Sequence, residues 1–163
     1  MRNPRHLQRR LRRLRRANKA VARKKLGSAN RAKAVASLAK AHLDVANARA
    51  DFLHKLTTSL TRTNSTIVIE DLAVAGMVRN RHLARHIADA GWAELRRQLE
   101  YKATWYGARL VIADRWFPST RTCAGCGQVN HELTLAESVW TCPCGAIHDR
   151  DVNAAVNLQR LAA

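Results

Sequence analysis

Four cysteines, all that the chain contains, fall between positions 123 and 144 as two close pairs. Cys123 and Cys126 are two residues apart, and Gly127 follows them. That spacing lets two thiolates turn onto one tetrahedral ion. Fifteen residues later come Cys142 and Cys144, one residue apart, with Gly145 behind them. Paired knuckles at this separation predict a zinc ribbon. Four thiolates leave no open position for water, so the zinc is expected to be structural. The one-residue gap is tighter than the usual two, which makes His148 a candidate substitute ligand. Tight pairs in a chain without a secretory-type start favour metal over disulfide, and a reducing cytosol is the expected compartment.

A second chemistry is carried by acids. Asp149 and Asp151 follow the ribbon at once and open a final helix, D-R-D-V-N-A-A-V-N-L. Either can cap that helix. Far upstream, T-I-V-I-E-D-L (66–72) is a continuous run of β-branched residues ending in Glu70 and Asp71. Such a run predicts a strand buried on both faces, and strand ends are where open α/β sheets collect ligand sites. Asp71 serves equally well as a helix cap. If Asp151 faces Glu70, the two carboxylates can share a divalent ion, and oxygen ligands suit magnesium or manganese.

These groups need a scaffold. R-L-V-I-A-D (109–114) reads as a second buried strand, and 81–106 as one helix with Leu83, Ile87, Leu95, Leu99, Ala103 and Tyr106 on a single face, closed by Gly107. Strand, helix, strand implies parallel pairing through a right-handed crossover, which would bring Asp114 near Glu70. Residues 73–80 read as a linker. Trp92 and Trp105 are assigned to packing, since indoles usually serve by buried area.

The N-terminal part is built differently. Of 163 residues, 29 are Lys or Arg against 12 Asp or Glu, a net charge of +17. Residues 1–43 hold 15 basic residues and no acid. Leu7, Leu11, Leu14 and Val21 form an apolar stripe at helical spacing, while Arg9, Arg10, Arg12, Arg13, Arg15, Arg16, Arg23, Lys24 and Lys25 occupy the other faces. Gly27-Ser28 breaks the pattern, and Ser28 or Asn30 can cap a second helix bearing Val35, Leu38, Val45, Phe52, Leu56 and Leu60. Two such helices should fold back as an antiparallel hairpin. Its guanidinium stripe fits a phosphate backbone, with binding steeply dependent on salt. No apolar run approaches the ~18 residues of a membrane span, the best being Ile67-Val68-Ile69.

Taken in order, N-P-R-H-L, T-I-V-I-E-D-L, G-M-V-R-N-R, L-E-Y-K-A-T-W-Y-G, R-W-F-P-S-T, the cysteine pairs and D-V-N-A-A closely resemble the C-terminal part of the TnpB (OrfB) family of bacterial insertion sequences. The resemblance spans almost the whole chain. It implies an RNA-guided DNA endonuclease with a RuvC-like, RNase H-type sheet and three catalytic acids. Glu70 would be the second acid and Asp151 the third, holding magnesium for phosphodiester hydrolysis, with DNA and a guide RNA as partners and the bacterial cytoplasm as location. Two departures stand out: the one-residue knuckle, and a chain that opens at the basic helix, before which the family carries its first aspartate in a G-I-D-x-G motif. Asp71, Asp114 and Asp149 do not lie on that strand, so none is expected to replace it.

The expectation is therefore an α/β protein with a partial RuvC-like core of two parallel strands. A basic helical hairpin (1–62) precedes the core (63–118), a zinc ribbon (119–148) is inserted, and a last helix (149–163) follows. An N-terminally truncated protein of this kind keeps nucleic-acid affinity and zinc, loses most or all nuclease activity, and is marginally stable. The alternatives are a competent nuclease whose beginning is unrecorded or supplied by another polypeptide, and a non-catalytic binding regulator.

Overall fold

Leucines spaced by four and three residues give the first helix its packing face. In a computed structural model, which describes residues 5–134 and 136–162, α1 (His6–Ala22) and α2 (Ala29–Thr63) form the predicted hairpin. Leu14 is buried with Ala41 and Val45, and Leu7 and Leu38 pack beside them. Arg13 reaches Asp44 at 2.7 Å across the pair. Ser28 supplies the cap: its Oγ accepts from Arg31 N at 3.2 Å. Arg31 Nη1 donates to Val21 O at 2.9 Å and holds the turn. Asn3 and Pro4 of the first motif lie outside the described residues.

The chain divides into two units: residues up to Leu60 with Val74–Lys102, and Thr61–Ala73 with residues from Ala103 onward. The first has 23 Lys and Arg against 5 Asp and Glu, the second 6 against 7. Nearly all of the positive charge therefore belongs to one unit.

In the first unit, residues 73–80 hold a short helix, α3 (Val74–Met77), within the expected linker. The single helix expected over 81–106 is two, α4 (Ala84–Ala90) and α5 (Trp92–Tyr106). Gly91 separates them at φ 70°, and a Cβ there would lie 3.0 Å from Leu53 Cδ1. Close approach to α2 thus requires glycine as well as the left-handed backbone. Buried Asp89 accepts from Leu7 N at 3.1 Å through both carboxylate oxygens and from Arg49 Nη2 at 3.0 Å. The start of the most basic helix is capped by an acid 82 residues away. Between α2 and α5 runs a buried polar seam. Lys102 Nζ donates to His54 O, Thr57 Oγ1 and Thr58 Oγ1 at 2.8, 2.8 and 2.9 Å. Thr57 Oγ1 is also 2.9 Å from Gln98 Oε1.

In the second unit, β1 (Thr66–Glu70) and β2 (Arg109–Ala113) pair in parallel, as the strand–helix–strand order predicts, with Glu70 opposite Ala113. The strands are not buried on both faces. Ile67 and Ala113 are buried, but Ile112 is 38% exposed. A two-stranded sheet leaves both edges unpaired, and the described residues cover its faces incompletely. Gly107 closes α5 at φ 71°, as expected. The ribbon strands β3 (Val139–Thr141) and β4 (Ile147–Asp149) pair antiparallel. They pack Trp140 with Leu133, Cys123 and Cys142. The final helix is α6 (Arg150–Arg160). Trp92 and Trp105 are 40% and 71% exposed, so the packing role expected of them is not met among the described residues. Among the described residues, no helix is long and apolar enough to cross a membrane.

Candidate metal centre and strand-end carboxylates

Two knuckle turns shape the cysteine cluster. Gly127 N donates to Cys123 O and Cys123 N to Gln128 O, both at 2.8 Å. On the other side Gly145 N donates to Cys142 O and Cys142 N to Ala146 O, again at 2.8 Å. Although the second knuckle is one residue short, the sulfurs of Cys123, Cys126, Cys142 and Cys144 all lie within 4.8 Å of one another. Cys123 and Cys144 are 3.8 Å apart and Cys126 and Cys142 3.6 Å. Sulfurs on one tetrahedral zinc, at ~2.3 Å each, stand about 3.8 Å apart. The cluster therefore fits zinc. His148 Nε2 lies 3.1 Å from Cys123 Sγ.

The thiols are inequivalent. Burial pushes Cys123 up, but donors from the Cys126 amide, His148 and the Gly125 amide outweigh it and bring its pKa down to about 6. At Cys142 the Cys144 amide lowers the pKa, yet burial and the neighbouring thiols prevail and hold it at about 12.

The acids gather at the carboxyl ends of the parallel strands and at the start of α6. Glu70 is exposed, and its Oε1 accepts from Ser119 Oγ at 2.7 Å. Asp71 Oδ2 accepts from Arg115 Nη2 at 2.7 Å. Asp114, one residue beyond the partner of Glu70, accepts from Trp116 N at 2.8 Å. Of the two aspartates at the last helix, Asp149 is the cap, accepting from Asp151 N and Val152 N at 3.0 and 2.9 Å. That leaves the Asp151 side chain 84% exposed, 3.3 Å from Arg150 Nε. α6 packs against β1, so Glu70 and Asp151 stand on neighbouring elements. Among the described residues, the cysteines are the one group of three or more metal-type side chains gathered together.

Ser119, Asn153 and Asn157 are all buried, and no sequence motif marks them as functional. Asn153 Nδ2 donates to Thr122 O at 2.7 Å, and its Oδ1 accepts from Ala124 N at 2.9 Å. Asn157 Nδ2 donates to Thr122 O at 2.6 Å and Ser119 O at 2.8 Å. These asparagines clamp the segment leading into the first knuckle, and the same segment holds Glu70 through Ser119. Their four-residue spacing on one helix face was the available signal.

The nine basic residues expected to meet phosphate divide between α1 and the turn after it. Arg9, Arg10, Arg12, Arg13, Arg15 and Arg16 are helical, whereas Arg23 is the C-cap and Lys24 and Lys25 follow in the turn. All but half-buried Arg10 are exposed. Among the described residues, only Arg13 of the nine pairs with a carboxylate.

Two family models match the chain: one described as "Probable transposase" over residues 1–81, and one as "Cas12f1-like, TNB domain" over 92–158. The chain belongs to the TnpB/OrfB family. A Streptomyces pristinaespiralis relative named "Putative RNA-guided DNA endonuclease" is 54% identical, the match covering 96% of this chain and 39% of the relative. Escherichia coli "Putative RNA-guided DNA endonuclease InsQ" is 35% identical, over 89% of this chain and 40% of that protein. The chain thus spans about two fifths of the length of these curated relatives. Its fold is similar to that in a cryo-EM structure of a Cas12f1–sgRNA–target DNA complex, with TM-score 0.64 and 14% identity, covering 96% of this chain and 42% of that one.

Proposed function

We propose that the chain is the nucleic-acid-holding and carboxylate-bearing part of a TnpB-type, RNA-guided DNA endonuclease, with zinc in its ribbon and a RuvC-like strand pair. The observation that carries this reading is the division of charge: 23 basic against 5 acidic residues in the first unit, with eight of the nine basic side chains on and after α1 unpaired by carboxylates among the described residues. Guanidinium groups left without protein partners are suited to phosphate. Zinc at the four cysteines would fix the two knuckles, and through Thr122 and Ser119 the segment that steadies Glu70. Glu70 and Asp151 would hold magnesium or manganese. When bound, such an ion would supply the activation of water and the stabilisation of the leaving oxygen that phosphodiester hydrolysis needs. Here Ser119 fixes one oxygen of Glu70, while Asp149 takes the cap and leaves exposed Asp151, beside Arg150 at 3.3 Å, as the acid that would serve as a ligand.

By itself the chain is proposed to bind DNA and RNA without cutting them. In support, no three carboxylates gather at one place among the described residues. Binding to a structured RNA and to duplex DNA should weaken steeply with salt. Replacing Arg9, Arg12 and Arg16 together by Ser should flatten the log–log salt slope by roughly three times 0.9. An unchanged slope would falsify the assignment of that face. Magnesium-dependent cutting by the chain with guide RNA, abolished in Glu70→Ala and Asp151→Ala, would instead establish the competent-nuclease reading.

A further inference from the structure

The one-residue knuckle leaves His148 within reach of the cysteine cluster, so five donors surround a site for a four-coordinate ion. We propose that His148 is an outer-sphere hydrogen-bond donor to the Cys123 thiolate, positioning and stabilising that ligand, and is not itself a ligand. The inference rests on zinc occupying the four cysteines.

Distance separates the two roles. A sulfur and a nitrogen on the same tetrahedral zinc, with bonds of ~2.3 and ~2.0–2.1 Å, stand about 3.6 Å apart. Cys123 Sγ and His148 Nε2 are 3.1 Å apart, a hydrogen-bond separation. The sulfur pairs, at 3.8 and 3.6 Å, have the spacing of shared coordination. The four sulfurs fill the tetrahedron, and His148 stands outside the set that lies mutually within 4.8 Å. A thiolate only accepts, so the proton of this contact belongs to Nε2.

The fold enforces the contact. His148 on β4 is the cross-strand partner of Trp140 on β3, and the rings lie 4.8 Å apart. Trp140 is itself buried, so the imidazole has a fixed surface to lean on. The contact also answers a need. Cys123 is fully buried and Cys142 nearly so, whereas Cys126 and Cys144 are exposed and can be solvated by water. A buried thiolate with no water needs donors from the protein.

The test uses the whole chain, loaded with zinc or cobalt. His148→Phe keeps a ring against Trp140 but removes the donor, and His148→Gln keeps a side-chain N–H. In competition with a chromophoric chelator, His148→Phe should bind zinc about 10–100-fold more weakly, and His148→Gln should recover most of that loss. The cobalt spectrum should report four sulfur ligands in wild type and both variants. In zinc-loaded wild type, nitrogen NMR of His148 should show a protonated Nε2, a readout that needs no variant to fold. Wild-type zinc affinity in His148→Phe overturns the proposal. So does a three-sulfur, one-nitrogen cobalt spectrum, or an unprotonated, metal-shifted Nε2. A wild-type chain that binds no zinc overturns the zinc reading with it.

Discussion

Asn153 and Asn157 offer a quantitative handle on the clamp beneath the ribbon. Asn153→Ala removes two short bonds, to Thr122 O at 2.7 Å and from Ala124 N at 2.9 Å, at a residue only 3% exposed. Each bond is worth about 1 kcal/mol net, and stranding the Ala124 amide adds about 1–3 kcal/mol, so the loss should be about 3–5 kcal/mol. Asn157→Ala removes the bonds to Thr122 O and Ser119 O, at 2.6 and 2.8 Å. Its cost should be smaller, about 1–2.5 kcal/mol, because Asn153 still satisfies Thr122 O. In the double variant Thr122 O loses both donors. The combined loss should therefore exceed the sum of the singles by about 1 kcal/mol. Urea unfolding of the zinc-loaded protein, followed by the fluorescence of Trp140 in variants lacking the other tryptophans, measures all four corners of the cycle. Additivity within ~0.3–0.5 kcal/mol, or a single loss below about 0.5 kcal/mol, would refute the shared-acceptor argument.

Asp89→Ala strands Leu7 N and Arg49 and should cost about 3–5 kcal/mol, the range for breaking a buried pair, read as a lower urea midpoint. Lys102, whose pKa burial lowers, donates to three neutral oxygens, His54 O, Thr57 Oγ1 and Thr58 Oγ1; Lys102→Met should be neutral or stabilising by up to about 2 kcal/mol. Because a depressed lysine adds stability as pH rises toward its unfolded value, the advantage of that variant should shrink between neutral and alkaline pH. Arg97, and then Gln98, hold Glu94 down to about 2. Its contribution is present above the ordinary carboxylate range and lost as pH falls toward 2, so wild type and Glu94→Gln should converge in acid melts. With the Glu94 side chain 40% exposed, their gap at neutral pH should stay below about 1 kcal/mol.

What the sequence made legible was whatever depends on local pattern. The cysteine spacing, the leucine stripe of α1, the Ser28 cap, the Gly107 stop and the parallel pairing of β1 with β2 each follow from neighbours in the chain or from element order. What it hid depends on contacts across long separations. The break at Gly91 is set by how close Leu53 comes, which no periodicity reveals. Asp89 and Lys102 are charged, and charge alone predicts exposure; each is buried because distant backbone or hydroxyl groups receive it. At the last helix, two adjacent acids could equally be caps, and only the backbone showed that Asp149 caps and Asp151 does not. The β-branched runs expect cover on both faces, and that cover is incomplete among the described residues.

The long-range cap on α1 bears on how the chain is made. Translation delivers α1 first and Asp89 much later, so the helix richest in arginine emerges without the acid that closes its first turn. Until residue 89 is available, that segment has high positive charge, an uncapped start and a partner helix still being synthesised. A helix in that condition frays readily. Delay between the two halves of the first unit is a variable that synonymous codon changes between positions 30 and 89 could tune without altering a single residue.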